Sequence, residues 1–296
     1  MGGQNHCTTT MSQLGYSLNQ LNINNKERSH ATRQNRKSIF NLVAKQLHGF
    51  GFKLKDAKGL KPKHVNALVK HWQAQKLANK TIKNRMSAIR WWADKVGKRN
   101  VVGRTNDEYG IDKVRNSPLG KSKELDMQKH AKINCPYVKF SLRLQQGFGL
   151  RREEAIKFNV TYADQGNYIR LKGSWTKGGK PRTLPILKES QRSLLDEVRS
   201  FTRSSLIRAT DRYVDQMRRY ERETNKVGLS KNHGLRHHYA RQRYLELTGW
   251  QCPANGGPRR MHLIGKEREL DYKARMIISR ELGHERFSIT YTYLGS

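Results

Sequence analysis

His233-Gly234-Leu235-Arg236-His237-His238 is the stretch on which the reading of this 296-residue chain turns. A histidine three positions before an arginine is by itself a common accident, and its company gives it weight. Upstream stand Gly149-Leu150-Arg151-Arg152-Glu153-Glu154 and Trp175-Thr176-Lys177-Gly178-Gly179-Lys180-Pro181-Arg182. Downstream come Leu282-Gly283-His284 and then Tyr293, nine positions after His284.

These segments hold what metal-free cleavage of a phosphodiester requires. A nucleophile must attack phosphorus, the charge growing on the non-bridging oxygens must be met by cations, and the leaving oxygen must receive a proton. Arg151 and Arg236 would meet the charge, because a guanidinium fork matches phosphate oxygens in a bidentate way. His233 and His284 can donate to the same oxygens or manage the nucleophile's proton. Lys177, in a Gly-flanked turn, can reach the leaving oxygen as general acid. Tyr293 would form a phosphotyrosine, a covalent intermediate that keeps the energy of the broken bond. Such chemistry calls for no ATP, no cofactor and no metal.

Each residue also has an ordinary explanation. Arg151 and Arg152 could be surface charges, and Lys177 a solvated turn lysine with Lys172 and Lys180 as near competitors. His233 and His237, four apart, have metal-ligand spacing. No HExxH pattern or supporting carboxylate accompanies them, which favours a packing or helix-surface role for His237 and His238. Tyr291 competes with Tyr293, but two residues apart on a helix they point about 200° apart, so only one can face a phosphate.

The ordered set resembles the tyrosine recombinase (phage integrase) family. That family runs an Arg, a Lys in a β-hairpin, His-x-x-Arg, a Gly-His pair and the Tyr nucleophile, matched here by Arg151, Lys177, His233 with Arg236, Gly283-His284 and Tyr293. The spacing from His284 is what selects Tyr293 over Tyr291. The motifs cover residues 125–296, and the preceding helices are similar in texture to the family's core-binding domain. The resemblance implies a site-specific recombinase, of a phage or other mobile element, that cleaves double-stranded DNA through a 3′-phosphotyrosine and exchanges strands. It further implies a homotetramer on two recombination sites, with accessory DNA-bending proteins possible partners. Two other readings stay open: a topoisomerase IB-like enzyme that reseals the same strand, and a non-cutting DNA-binding regulator derived from a recombinase.

The rest of the chain fits a nucleic-acid partner. Lys and Arg total 59 against 24 Asp and Glu, a formal charge of +35. A polyanion turns that excess to use, since each neutralised phosphate releases counterions. The basic residues interleave with apolar periodicity, as in a folded binder. Val65, Leu68, Val69 and Trp72 share one helical face, and Ile82, Met86, Ile89 and Trp92 another. Tyr168–Lys172 and Arg182–Ile186 read as short strands joined across Gly178-Gly179. The fold expected is mainly α with a small β-sheet: a loose arm over 1–27, a helical core-DNA-binding domain over 28–105, a linker over 106–123 and a mixed α+β catalytic domain over 124–296. Cys7, Cys135 and Cys252 form no CxxC pair and read as reduced thiols. No apolar run is long enough to span a bilayer, and the polar start lacks a secretory pattern. A bacterial cytoplasmic, nucleoid-associated setting is therefore expected, with no membrane partner.

Two features depart from the family pattern. Arg236 and His284 are 48 positions apart, about twice the separation the resemblance implies, with a basic, Gly/Pro-broken stretch at 247–273 reading either as an added contact or as a tolerated loop. Family members often continue past the tyrosine into a helix that docks on a neighbouring subunit; here Leu294, Gly295 and Ser296 follow it. Either the chain is shortened or its subunits couple through another surface.

Overall fold

The computed structural model describes residues 12–113 and 117–296 and divides the chain into two units, Met1–Arg115 and Asn116–Ser296. The first is helical: α1 (Gln13–Asn24), α2 (His30–Gly49), α3 (Pro62–Ala74) and α4 (Asn79–Lys95). The stripes expected for α3 and α4 meet in one core, where Leu68, Trp72, Met86, Ile89 and Trp92 are fully buried with Phe40 and Leu47 of α2. Burying two indoles leaves two N–H donors to satisfy. Trp72 Nε1 donates to Gln46 Oε1 at 2.9 Å, and Trp92 Nε1 to the Ala57 carbonyl at 2.8 Å.

The structure differs from the expected arm. Residues 13–24 form α1, with Leu14 and Leu18 buried in the same core and Leu21 packed against it. The Asn/Gln-rich composition hides an i, i+4, i+7 leucine stripe, and Ser12 caps the helix by accepting from Gly15 N at 3.2 Å. The first part of the expected arm, residues 1–11 with Cys7, lies outside the described residues. The stretch after α4 also belongs to this unit further than expected: Val102 and Ile111 are buried in its core, and Arg90 donates to Gly103 O, Thr105 O and Asn106 Oδ1.

The second unit runs α5 (Met127–Ala131), α6 (Pro136–Phe148), α7 (Arg152–Lys157), α8 (Val160–Ala163), β1 (Tyr168–Leu171), β2 (Arg182–Pro185), α9 (Glu189–Phe201), α10 (Tyr213–Lys226), α11 (Gly234–Thr248), α12 (Gly265–Glu281) and α13 (Tyr291–Leu294). Helix α6 is central, packing against α7, α9, α10 and α11. The strands pair antiparallel with Tyr168 opposite Pro185 and Leu171 opposite Arg182. Ile169, Leu171 and Leu184 face the core. The connection is longer than a tight turn on Gly178-Gly179. It runs from Lys172 to Pro181 through a short helical turn at Gly173–Trp175, because Trp175 is drawn inward against Tyr162 and Phe158.

The stretch expected to be an irregular insertion is partly regular. Helix α11 continues to Thr248 and α12 starts at Gly265, so the irregular part is 249–264, with short turns at Pro253–Asn255 and Arg260–His262. Cys135 and Cys252 are buried free thiols. No helix among the described residues is long and apolar enough to cross a membrane.

Candidate active site

Four separate elements carry the site. Arg151 immediately precedes α7, Arg236 lies in the first turn of α11, His284 follows α12 and Tyr293 sits on α13. The point that draws the two arginines together is the end of α12, whose last carbonyls have no partner within the helix. The Leu282 carbonyl accepts from Arg236 Nη2 and, at 3.3 Å, from Arg151 Nη2. Arg236 is fully buried; its Nη1 donates to Gly149 O at 2.5 Å and its Nε to Tyr293 Oη at 3.3 Å. Arg151 Nη2 also meets His284 Nε2 at 3.3 Å. Since arginine only donates, that histidine accepts at Nε2 and, as a neutral ring, carries its proton on Nδ1.

One carboxylate organises these cations. Glu154 is fully buried and receives both Arg182 Nη groups at 2.8 and 2.7 Å, Arg151 Nη1 at 2.7 Å and the Arg151 backbone N–H at 2.7 Å. Arg236 Nη1 stands 3.9 Å away. Burial alone would raise the Glu154 pKa, but the hydrogen bonds and charge of Arg182, with Arg236 and Arg151, pull it down to about 2. Three guanidinium groups around one carboxylate leave a surplus of two positive charges, which suits an anion better than a neutral ligand.

Tyr293 is 5% exposed, with its ring among three histidines at centroid distances of 4.6 Å (His237), 6.4 Å (His284) and 6.5 Å (His233). Desolvation, then the charges of Arg236 and Arg151, lower the His284 pKa to about 4 and also depress that of His233. His237 is buried and lowered to about 3 by burial first and His233 next; its Nδ1 has no hydrogen-bond partner. All three rings are thus neutral near pH 7, able to donate or accept a proton without adding fixed charge. Burial pushes the Arg236 pKa down to about 10, which still leaves it charged at pH 7.

Gly283 matters for fit. It adopts φ +67, and a Cβ there would stand 3.0 Å from Arg182 Nη1. A side chain would therefore press on the guanidinium that holds Glu154, which gives the Gly-His pair a steric reason.

A cleft of about 500 Å³ is lined by Arg151, Lys177, Arg182, His284 and Arg286 among others. Lys177 is exposed on its rim, in the connection between β1 and β2. Its two competitors are engaged: Lys172 lies 4.1 Å from the Tyr162 ring centre, and Lys180 pairs with Glu285 at 2.7 Å. Lys177 makes no ion pair among the described residues. The structure therefore gathers Arg151, His233, Arg236, His284 and Tyr293, and leaves Lys177 at the edge of the cleft that Arg151 and His284 line. Tyr291, by contrast, is 36% exposed and lies against Phe287 and Arg275. Sequence reasoning missed Arg182 as the main partner of Glu154. It is one Arg among many, and only the strand pairing brings it there. Among the described residues no group of three or more His, Cys, Asp or Glu is arranged to hold a metal.

Residues 11–102 match the family model described as phage integrase, N-terminal, and residues 122–242 match the one described as integrase. The chain belongs to the phage integrase family of tyrosine recombinases. Integrase folds of known structure resemble it along its length. The Tn1549 transposon integrase in complex with circular intermediate DNA superposes with a TM-score of 0.57 at 13% identity, over 95% of each chain. The XerH site-specific recombinase bound to palindromic difH substrate, in a post-cleavage complex, gives 0.58 at 15% identity, over 94% of this chain and 80% of that one. At such identities the likeness is one of fold. No curated protein matches the sequence. His284 and Tyr293 follow the stretch matched by the integrase model, so their place in the site rests on the geometry above.

Proposed function

We propose that this integrase-family chain is a site-specific recombinase of a mobile element, cutting and rejoining double-stranded DNA through a 3′-phosphotyrosine on Tyr293. The observation that carries this reading is the hydrogen bond from the buried Arg236 to the Tyr293 hydroxyl, in a site with surplus positive charge. The scissile phosphate binds against Arg151 and Arg236, whose fixed charges are already oriented and need no rearrangement as charge grows on phosphorus. Arg236 donates to the Tyr293 hydroxyl oxygen and holds it in place, and the neutral His233 accepts its proton. The Tyr293 oxygen attacks phosphorus, the bond to the 5′ oxygen breaks, and Lys177 supplies the proton that makes it a free hydroxyl. His284 donates to a non-bridging oxygen. A 5′-hydroxyl from a partner duplex then attacks the phosphotyrosine and releases Tyr293. Four protomers act on two sites, with accessory DNA-bending proteins as further partners, in the nucleoid of a bacterium.

Two substrates decide between this and its rivals. Duplexes taken from the DNA flanking the gene, mixed in pairs, give recombinant products if strands are exchanged. Relaxation of supercoiled plasmid regardless of sequence, without exchange, would identify a topoisomerase instead. Tight, salt-sensitive binding with neither product would identify a regulator that does not cut.

A further inference from the structure

The backbone that carries Tyr293 is gripped by buried groups with no part in the chemistry above. Arg275, on α12, is fully buried; its Nε donates to Asp271 Oδ1 at 2.6 Å and its Nη1 to the Gly295 carbonyl at 2.9 Å and to Thr290 Oγ1 at 3.4 Å. Asp271, also fully buried, accepts from Tyr244 Oη at 2.7 Å and from Arg260 Nη1. Arg241, on α11, donates from Nε to the Tyr293 carbonyl at 3.2 Å, from Nη1 to Asn255 Oδ1 at 2.6 Å and from Nη2 to the Pro118 carbonyl at 2.6 Å. The turn Pro253–Asn255 lies against Gly295, which has φ +84; a Cβ there would stand 3.0 Å from Ala254 N and 3.1 Å from Pro253 Cβ.

Helix α13 is one turn long and has no stability of its own. Buried ion pairs are a poor source of net stability, so the network is better accounted for by what it fixes. We propose that Arg241 and Arg275 are positioning residues for the nucleophile. They clamp the carbonyls of Tyr293 and Gly295 so that the phenol meets Arg236, and the 249–264 segment forms the floor of that clamp. The extra length between Arg236 and His284 then has a role inside the subunit. This inference rests on Tyr293 being the nucleophile.

The experiment joins three measurements on the full chain: covalent-complex formation in single turnover on a nicked duplex, affinity for that duplex, and amide hydrogen exchange without DNA. Arg241→Lys, Arg275→Lys and Gly295→Ala, which forces a Cβ at φ +84 against Ala254 N, are compared with wild type. The clamp predicts a fall of about 10- to 100-fold in covalent-complex rate, since small misplacements of a reacting group are that costly. DNA affinity should stay unchanged, and faster exchange should be confined to the Phe287–Ser296 peptide. Wild-type rates and exchange in Arg241→Lys and Gly295→Ala would overturn it. So would losses that track DNA affinity and faster exchange throughout the second unit, which would make these residues general supports. If wild type forms no covalent complex, the reading of Tyr293 fails instead, and exchange at Phe287–Ser296 still decides whether the clamp exists.

Discussion

Arg236 touches Tyr293 Oη, Gly149 O and Leu282 O at once, so it braces the site, and in the proposed mechanism it is also a cation for the phosphate. Arg236→Ala should lower single-turnover cleavage by about 10² to 10³, the loss seen when a preorganised charge-stabilising donor is removed. Cleavage near the wild-type rate in a folded Arg236→Ala protein would remove it from the mechanism. Glu154 makes a separate prediction about stability. Its folded pKa of about 2 lies below its ordinary 4.5, so the stability it contributes is fully present above pH 4.5 and is lost as pH falls through about 2. Glu154→Gln leaves three arginines without their carboxylate and should cost about 3–5 kcal/mol at pH 7. Urea unfolding at pH 7 and at pH 4 checks the sign, because the gap to wild type should be smaller at the lower pH. A gap that widens would mean that Glu154 is not the charged hub of the site.

The elements show where sequence was enough and where it was not. The stripes of α3 and α4 and the strands around Lys177 could be read directly, because period and turn residues are local signals. Leu14, Leu18 and Leu21 went unread as a helix because Asn and Gln between them outweighed the stripe in composition. The clamp on α13 was invisible for another reason: Arg275 and Gly295 are adjacent only after α12 and the following turn are folded. The β1–β2 connection carries Lys177, and its chemistry can be isolated. If Lys177 protonates the leaving oxygen, Lys177→Ala should cleave an ordinary duplex slowly but recover on one whose leaving 5′ oxygen is sulfur, because a thiolate leaves without a proton. Equal slowing on both substrates would assign Lys177 to binding alone, and recovery in a Lys180→Ala variant would shift the role to Lys180.

At the scale of the molecule, excess positive charge and buried neutral histidines set the response to conditions. His237 and His284 have folded pKa values of about 3 and about 4 against an ordinary 6.5. The unfolded chain therefore binds more protons between those values, and stability falls as pH drops from 6.5 toward 4. Thermal melts of the free protein at pH 7, 6 and 5 should show this descent, and His237→Phe should make it shallower. A melting temperature that rises toward pH 5 would contradict the neutral assignment. The +35 charge announced a polyanion partner, while only the order of motifs announced chemistry. The family models and the fold then agree on the phage integrase family.

In the proposed mechanism Tyr293 becomes covalently joined to DNA. The most direct test traps the protein on a nicked duplex, digests it with trypsin and nuclease, and locates the residual nucleotide by fragmenting the Phe287–Ser296 peptide, which contains both Tyr291 and Tyr293. A 3′-linked phosphonucleotide is expected on Tyr293, absent in Tyr293→Phe and kept in Tyr291→Phe. An adduct on Tyr291, or one that survives Tyr293→Phe, would contradict it.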